Sequence, residues 1–369
     1  MKLALIRKRY TDFGGAERYV SALARRLVEQ GHEVHILARE WEAAQNEGLV
    51  FDRIPRGRGP SFISLLTFAR DVARKVYAGD FDLVHSFERT YSQDIFRAGD
   101  GCHREWLARR SQAFGRGKAL LDTINPRHKA FLYLETRLFS DPRLRCVLVN
   151  SKRVREEILQ HYQVPEQKIR VVHNGLDRDR FHAGLCNKYR ESVRQELDLA
   201  QDEPVALFVG SGFVRKGLAD VIRALVKIDI KVLVAGQGRI KPYESLARKL
   251  GVMNRVFFLG PRLDVERLYG AADVFVLPSL YEPFSSACLE AMAAGPPVVT
   301  TAETGAAEVI ESGRNGYTVD FPVETDELAE KIKRGLKIDR AGLLKTNEKI
   351  LSLFDWEKNL GKTLEVYAL

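Results

Sequence analysis

The strongest constraint on this chain's fold is an alternation. Short apolar runs recur at 205–209, 232–235, 256–259, 274–277, 297–301 and 317–319, with helical patterns between them. Runs of four or five residues without polar alternation read as strands buried on both faces. Strands that alternate with helices predict a parallel sheet with crossover helices. The first half repeats the scheme less regularly, with strands expected at 2–6, 33–38, 49–54, 82–86, 146–150 and 169–173 and helices over 16–30, 61–77, 126–139 and 151–162. A polar, charged stretch over 177–203 connects the halves, and no sequence repeat relates them. At 369 residues the chain exceeds one typical core, so two doubly wound α/β domains are expected.

Composition narrows the setting. Hydrophobic residues at 45% and charged residues at 29% are ordinary for a soluble globular protein. No run approaches the roughly 18 apolar residues of a membrane span, and the apolar run at 3–6 is too short for a signal peptide. Cys102, Cys146, Cys186 and Cys288 are scattered, with neither disulfide nor zinc-site spacing, which suits a reducing cytoplasm. A net charge of +9 calls for an acidic partner: nucleotide phosphate, nucleic acid or an anionic membrane surface.

The loops that follow the apolar runs carry the chemistry. After 274–277 comes Tyr281-Glu282-Pro283-Phe284-Ser285-Ser286, and a helix capped by Ser285 or Ser286 is expected to run to about Ala294, before Gly295-Pro296. Its free N–H groups and macrodipole suit a phosphate, with Glu282 before the helix and Glu290 inside it as hydroxyl-seeking carboxylates. An ordinary strand–loop–helix unit with two solvated glutamates has the same pattern. Gly210-Ser211-Gly212-Phe213-Val214-Arg215-Lys216-Gly217 follows another strand and reads as a diphosphate clamp, Arg215 as a planar fork and Lys216 as a point charge. A basic surface turn is the competing reading, and the loop is not a Walker motif. Gly236-Gln237-Gly238 and Gly260-Pro261-Arg262 end two further strands, the latter able to meet a base edge through its backbone. Ligands in open α/β sheets gather at such strand ends.

In the first half, Gly14-Gly15 sits between the first strand and its helix, where a ligand can approach the backbone; a tight turn would need the same glycines. The segment 103–137 breaks the rhythm. It mixes Arg104, Arg109, Arg110, Arg116, Lys118, Arg127, Lys129 and Arg137 with Trp106, Phe114, Leu120, Leu121, Phe131 and Tyr133, against only Glu105, Asp122 and Glu135. The mixture fits nucleic acid, an anionic lipid surface or a solvated basic loop.

Together these residues resemble a retaining glycosyltransferase of family 4. The resemblance covers almost the whole chain through Gly14-Gly15-Ala16-Glu17, His173-Asn174-Gly175-Leu176-Asp177, Arg215-Lys216-Gly217, the E-x₇-E pair Glu282 and Glu290, and Trp356-Glu357-Lys358. Within the family, 7–15 and Ala98-Gly99-Asp100 resemble the lipopolysaccharide core glucosyltransferases that act on heptose. The implied fold is GT-B, two Rossmann-like doubly wound domains facing across a cleft. Its boundaries would be 1–176, completed by a C-terminal helix at 355–369, and 177–354. Glu282 would contact donor-sugar hydroxyls, Glu290 the ribose, Arg215 and Lys216 the diphosphate, with Gly14, Gly15, Gly212, Arg262, Phe284, Ser285 and Ser286 lining the donor. Asp100, with His103 nearby, would lie close to the reacting carbon, where many relatives carry a histidine. Ser285 departs from the glycine of the family's common Glu-Gly-Phe-Gly pattern.

The resemblance implies transfer of a hexose, glucose above all, from a UDP-sugar to a lipopolysaccharide core heptose or similar lipid-linked glycan. No metal or other cofactor is implied. The protein would be cytoplasmic and peripheral at the inner membrane, docked on anionic lipid through 103–137, with no nucleic acid partner. The alternatives are transfer of N-acetylglucosamine or mannose from UDP or GDP donors to another polysaccharide or lipid, and a GT-B sugar-nucleotide epimerase.

Overall fold

The computed structural model describes residues 1–10, 15–41, 48–57 and 59–368. It divides into two compact units, Met1–Asn174 with Asn359–Leu369, and Gly175–Lys358.

The first unit contains β1 (Lys2–Ile6), β2 (Arg9–Tyr10), β3 (Glu33–Ala38), β4 (Glu40–Trp41), β5 (Leu49–Arg53), β6 (Leu83–Ser86), β7 (Ile95–Arg97), β8 (Cys146–Val149) and β9 (Ile169–Val171). Seven of them form one parallel sheet in the order β5-β3-β1-β6-β7-β8-β9, and β2 pairs with β4 beside it. The helices are α1 (Gly15–Glu29), α2 (Ser61–Gly79), α3 (His103–Ile124), α4 (Pro126–Phe139) and α5 (Lys152–His161). β1 and β8 are near-continuous apolar runs because helices cover both faces of the sheet, and each buried Val or Leu there contributes about 1.5–3 kcal/mol.

Four elements of this unit depart from the sequence reading: the two-residue strands β2 and β4, then β7 and α3. β7 is three residues long, too short for periodicity to reveal. The basic segment begins with a 22-residue helix, α3, bent where Gly115 adopts φ 79°, ψ 176°. Its apolar positions share no single stripe, so no amphipathic pattern announces it.

The second unit has β10 (Val205–Val209), β11 (Lys231–Ala235), β12 (Val256–Gly260), β13 (Val274–Leu277), β14 (Val298–Thr301) and β15 (Gly316–Val319), all parallel, in the order β12-β11-β10-β13-β14-β15. Around them lie α6 (Leu185–Glu196), α7 (Leu218–Ala224), α8 (Lys241–Lys249), α9 (Val265–Ala271), α10 (Ser286–Ala294), α11 (Thr325–Gly335) and α12 (Arg340–Leu351). α6 occupies the middle of the stretch read as a connection. Its Arg194 is fully buried, bonded to the Ala271 carbonyl and the Asp273 carboxylate. α10 is buried from Cys288 to Ala294, as a helix apolar on every side must be.

The final helix, α13 (Trp356–Glu365), explains two of the sequence motifs structurally. The Leu176 amide donates to the Phe354 carbonyl at 2.9 Å, and a Cβ on Gly175 would fall 2.1 Å from the Trp356 ring. Glycine is therefore required where the chain enters the second unit, packed against Trp356 near the point where it leaves. Beyond that point Thr363 Oγ1 lies 2.5 Å from Tyr19 Oη, and Tyr367 Oη 2.7 Å from His85 Nδ1, so the chain end packs into the first unit.

Candidate active site

In the second sheet the strand order reverses between β10 and β13, and at such a switch point the loops after the two strands diverge to opposite faces and leave a crevice. The loop after β10 carries Arg215 and Lys216; the loop after β13 carries Glu282. Gly217 lets them meet: it holds φ 75°, and a Cβ there would lie 2.0 Å from the Pro278 carbonyl oxygen. The Leu280 amide donates to the Arg215 carbonyl at 2.8 Å, tying the loops together.

At this junction Lys216 Nζ hydrogen-bonds Glu282 Oε2, and an Arg215 guanidinium nitrogen lies 3.3 Å from the same oxygen. Lys216 and Glu282 are buried, while Arg215 remains 38% exposed in its side chain. Burial pushes the Glu282 pKa up, but Lys216 and then Arg215 more than offset this and hold it below the usual carboxylate range. The backbone of Glu282 is fixed as well. Its amide donates to Glu303 at 3.2 Å, and its carbonyl accepts from Gly305 at 2.9 Å.

The neighbouring donor-lining residues fall into distinct roles. Phe284 is buried, its ring stacked on Phe354 at 5.5 Å, so its side chain anchors the loop. Ser285 occupies the N-cap position of α10, yet it makes no side-chain cap bond, contrary to the expected serine cap. The reason is its left-handed backbone, φ 77°; a capping serine needs extended φ/ψ to reach the N2 or N3 amide. The Ser285 hydroxyl is thus not spent as a cap on the first amides of α10. Glu290, one turn further, accepts from Tyr269 Oη at 2.9 Å and is largely buried. Gly212 has φ 78°, and its amide reaches the Gln237 carbonyl at 3.1 Å, joining two strand-end loops. The Arg262 guanidinium is engaged by Asp264 at 2.8 Å, which leaves the backbone as its means of meeting a base.

In the first unit, Asp100 is exposed in the turn that follows β7. His103, three residues on at the start of α3, stacks on Phe131 and lies 3.1 Å from His128 through Nε2. Burial, reinforced by Arg89, lowers its pKa to about 4, so the imidazole is neutral at pH 7. Sequence reasoning missed what holds this turn. Arg89 donates to the Gly101 carbonyl at 2.7 Å, and the buried Glu135 carboxylate accepts from the His103 amide at 2.9 Å. The available signal was Glu135 itself, a single acid on an otherwise basic and apolar helix. Gly15 opens α1, and Gly14 lies outside the described residues. Among the described residues no three His, Cys, Asp or Glu side chains cluster as metal ligands.

Comparison with known proteins matches this arrangement to one group. Residues 13–180 fit the family described as Glycosyltransferase Family 4, and residues 189–350 fit Glycosyl transferases group 1. An uncharacterized glycosyltransferase of Methanocaldococcus jannaschii is 30% identical, over 100% of this chain and 98% of its own length. Lipopolysaccharide glucosyltransferase WaaG of Escherichia coli is 26% identical, over 91% of this chain and 90% of its own. Among solved structures, WaaG superposes with a TM-score of 0.85 at 24% identity, covering 99% of each chain. Anabaena HepE in complex with UDP and glucose gives 0.77 at 21% identity, covering 100% of this chain and 99% of that one.

Proposed function

Since this chain belongs to the family 4 glycosyltransferases and has the GT-B fold, we propose that it moves a hexose from a UDP-sugar to a lipid-linked glycan with retention at the anomeric carbon. The observation that carries this reading is the convergence of Lys216 and Arg215 on Glu282 at the switch point of the second sheet. A diphosphate entering there competes for both cations, and Glu282 is freed to accept from sugar hydroxyls. The uncapped start of α10 adds amide donors for phosphate oxygens. Glu290, oriented by Tyr269, would hold ribose hydroxyls.

As the bond from the anomeric carbon to the phosphate oxygen breaks, its electron pair leaves on the UDP oxygen. Fixed positive charge at Arg215, Lys216 and the α10 start stabilises that oxygen. The acceptor hydroxyl attacks from the same face, and its proton passes to the departing phosphate. Asp100, on an exposed turn, supplies a carboxylate for the acceptor side.

The acceptor we favour is a lipopolysaccharide core heptose or a similar glycan at the cytoplasmic face of an anionic membrane. Phe114, Leu120, Leu121, Ile124 and Tyr133 are all more than 45% exposed on α3 and α4, beside Lys118, Lys129 and Arg137. That pairing of apolar and basic side chains suits a headgroup boundary. Among the described residues no helix is long and apolar enough to cross a membrane.

A thermal-shift screen of UDP-glucose, UDP-galactose, UDP-N-acetylglucosamine and GDP-mannose tests the donor. A ligand at a hundredfold its Kd stabilises by about 2.7 kcal/mol. UDP-glucose is expected to raise the melting temperature most; a shift with GDP-mannose alone would overturn the uridine assignment.

A further inference from the structure

The first unit holds a cavity of about 600 Å³ that the donor chemistry does not use. It opens at the carboxyl ends of β1, β3 and β5, three neighbours in the sheet, where α/β folds collect ligands. Five cationic residues line it, Lys8, Arg9, Arg39, Arg56 and Arg127, against one carboxylate, Glu40. That carboxylate is already engaged: Arg9 lies 2.8 Å from it, and Arg56 hydrogen-bonds it.

Arg39 shows that the cavity is more than a basic rim. Its side chain is held by neutral oxygens, the Ser64 carbonyl at 2.9 Å, Ser64 Oγ at 2.7 Å and Thr67 Oγ1 at 3.1 Å. The residue is only 6% exposed, and its buried Nε has no hydrogen-bond partner among the described residues. Asp71 and Glu40 nearby offset part of its charge, but the unspent buried Nε donor is costly unless an acceptor completes its shell. The start of α2 reaches the same space through Ser61 and Ser64, and this 19-residue helix has neither a side-chain cap nor an acidic residue in its first turn. Its positive end is uncompensated. Burial lowers the Lys8 pKa, and Arg39, Arg127 and Arg9 lower it further, against the opposing pull of Glu88.

We propose that this cavity binds a phosphoryl group carried by the acceptor saccharide. A phosphomonoester brings close to two negative charges and three acceptor oxygens, which matches cations arriving from several strand ends. The cavity also adjoins the acceptor side of the chemistry. The Lys8 amide donates to Glu88 at 3.2 Å, and Asp100 contributes to the upward shift of the Glu88 carboxyl that burial begins. Calling the ligand an acceptor rests on the glycosyltransferase reading; the anion site does not.

The test uses full-length protein saturated with UDP and calorimetric titration with glucose 6-phosphate, inorganic phosphate and glucose. Glucose 6-phosphate is expected to bind more tightly than inorganic phosphate, and glucose not at all. Lost charge-assisted contacts should weaken glucose 6-phosphate binding by about tenfold or more in Arg39→Gln and in the Lys8→Gln/Arg127→Gln double variant. The double variant spares the buried guanidinium, so it reads the site even where Arg39→Gln unfolds. Equal binding of glucose and glucose 6-phosphate would overturn the proposal, as would unchanged affinity in the double variant. So would displacement of inorganic phosphate by phosphatidylglycerol vesicles without competition from glucose 6-phosphate, which would make the ligand a lipid headgroup. Saturable glucose 6-phosphate binding without any UDP thermal shift would sink the donor reading and leave this site standing.

Discussion

Arg89 Nε and one terminal guanidinium nitrogen lie 2.9 and 2.8 Å from Glu135 Oε1, with both side chains buried in the first unit. The pair does more than neutralise itself. Glu135 also accepts from Tyr162 Oη at 2.7 Å and from the Arg104 amide at 3.3 Å, so an acid on α4 caps the start of α3. Glu135→Gln leaves Arg89 buried without its counter-charge and is expected to cost about 3–5 kcal/mol in urea unfolding. Adding Arg89→Gln should cost less than the two single effects combined, because the pair acts as a unit. Additive losses would show that the two side chains are not energetically coupled.

At the donor end the expected effect is on turnover. Lys216→Ala should lower kcat by roughly 10²-fold or more at saturating donor, the size of effect that follows loss of one donor to a developing oxyanion. Lys216→Arg keeps the charge and should recover part of it. Near-normal turnover in Lys216→Ala would refute the clamp.

How much of this was legible depended on the length scale of each signal. β10 and β13 were readable because strands covered on both faces must be apolar throughout. Arg215-Lys216-Gly217 was readable because its glycine answers a backbone contact with Pro278 that no other residue fits. The Lys216–Glu282 contact was not, since 66 residues separate its members and only the sheet order brings them together. The same separation hides that Glu282 is held by two cations of its own chain. The basic cavity was invisible for the same reason: Lys8, Arg39 and Arg56 lie in three loops far apart in sequence until β1, β3 and β5 align.

Ser285 stands where the family pattern has glycine, and its backbone explains the preference. At φ 77° any side chain carries a penalty of about 1–2 kcal/mol, partly offset by the roughly 0.5–1 kcal/mol that glycine loses through its freer unfolded chain. Ser285→Gly should therefore unfold about 0.5–1 kcal/mol later than Ser285→Ala. Comparing these two removes the hydroxyl from both sides, so equal stability would mean the left-handed turn is not retained.

The neutral state of His103 gives a pH prediction. Its folded pKa, about 4, lies below the usual 6.5, so burial favours the uncharged ring. The associated stability is fully present above about pH 6.5 and is lost as pH falls toward 4. A two-dimensional NMR titration should find the ring uncharged at pH 5.5. An apparent pKa near 6.5 would mean that the ring is solvated in solution and free to act as a cation beside Asp100.

The exposed face of α3 and α4 makes a prediction in which two forces can be separated. Each basic residue near an anionic membrane contributes about 1 kcal/mol, and this part falls with salt. The apolar part from Leu120, Leu121 and Ile124 does not. Neutralising Lys118, Lys129 and Arg137 together should weaken binding to phosphatidylglycerol vesicles by about 3 kcal/mol at low salt and by less at high salt. Leu120→Ser/Leu121→Ser should weaken it at every salt concentration, with little cost to folding because both side chains are already exposed. Vesicle binding that survives both sets of changes would move the membrane contact to another part of the protein.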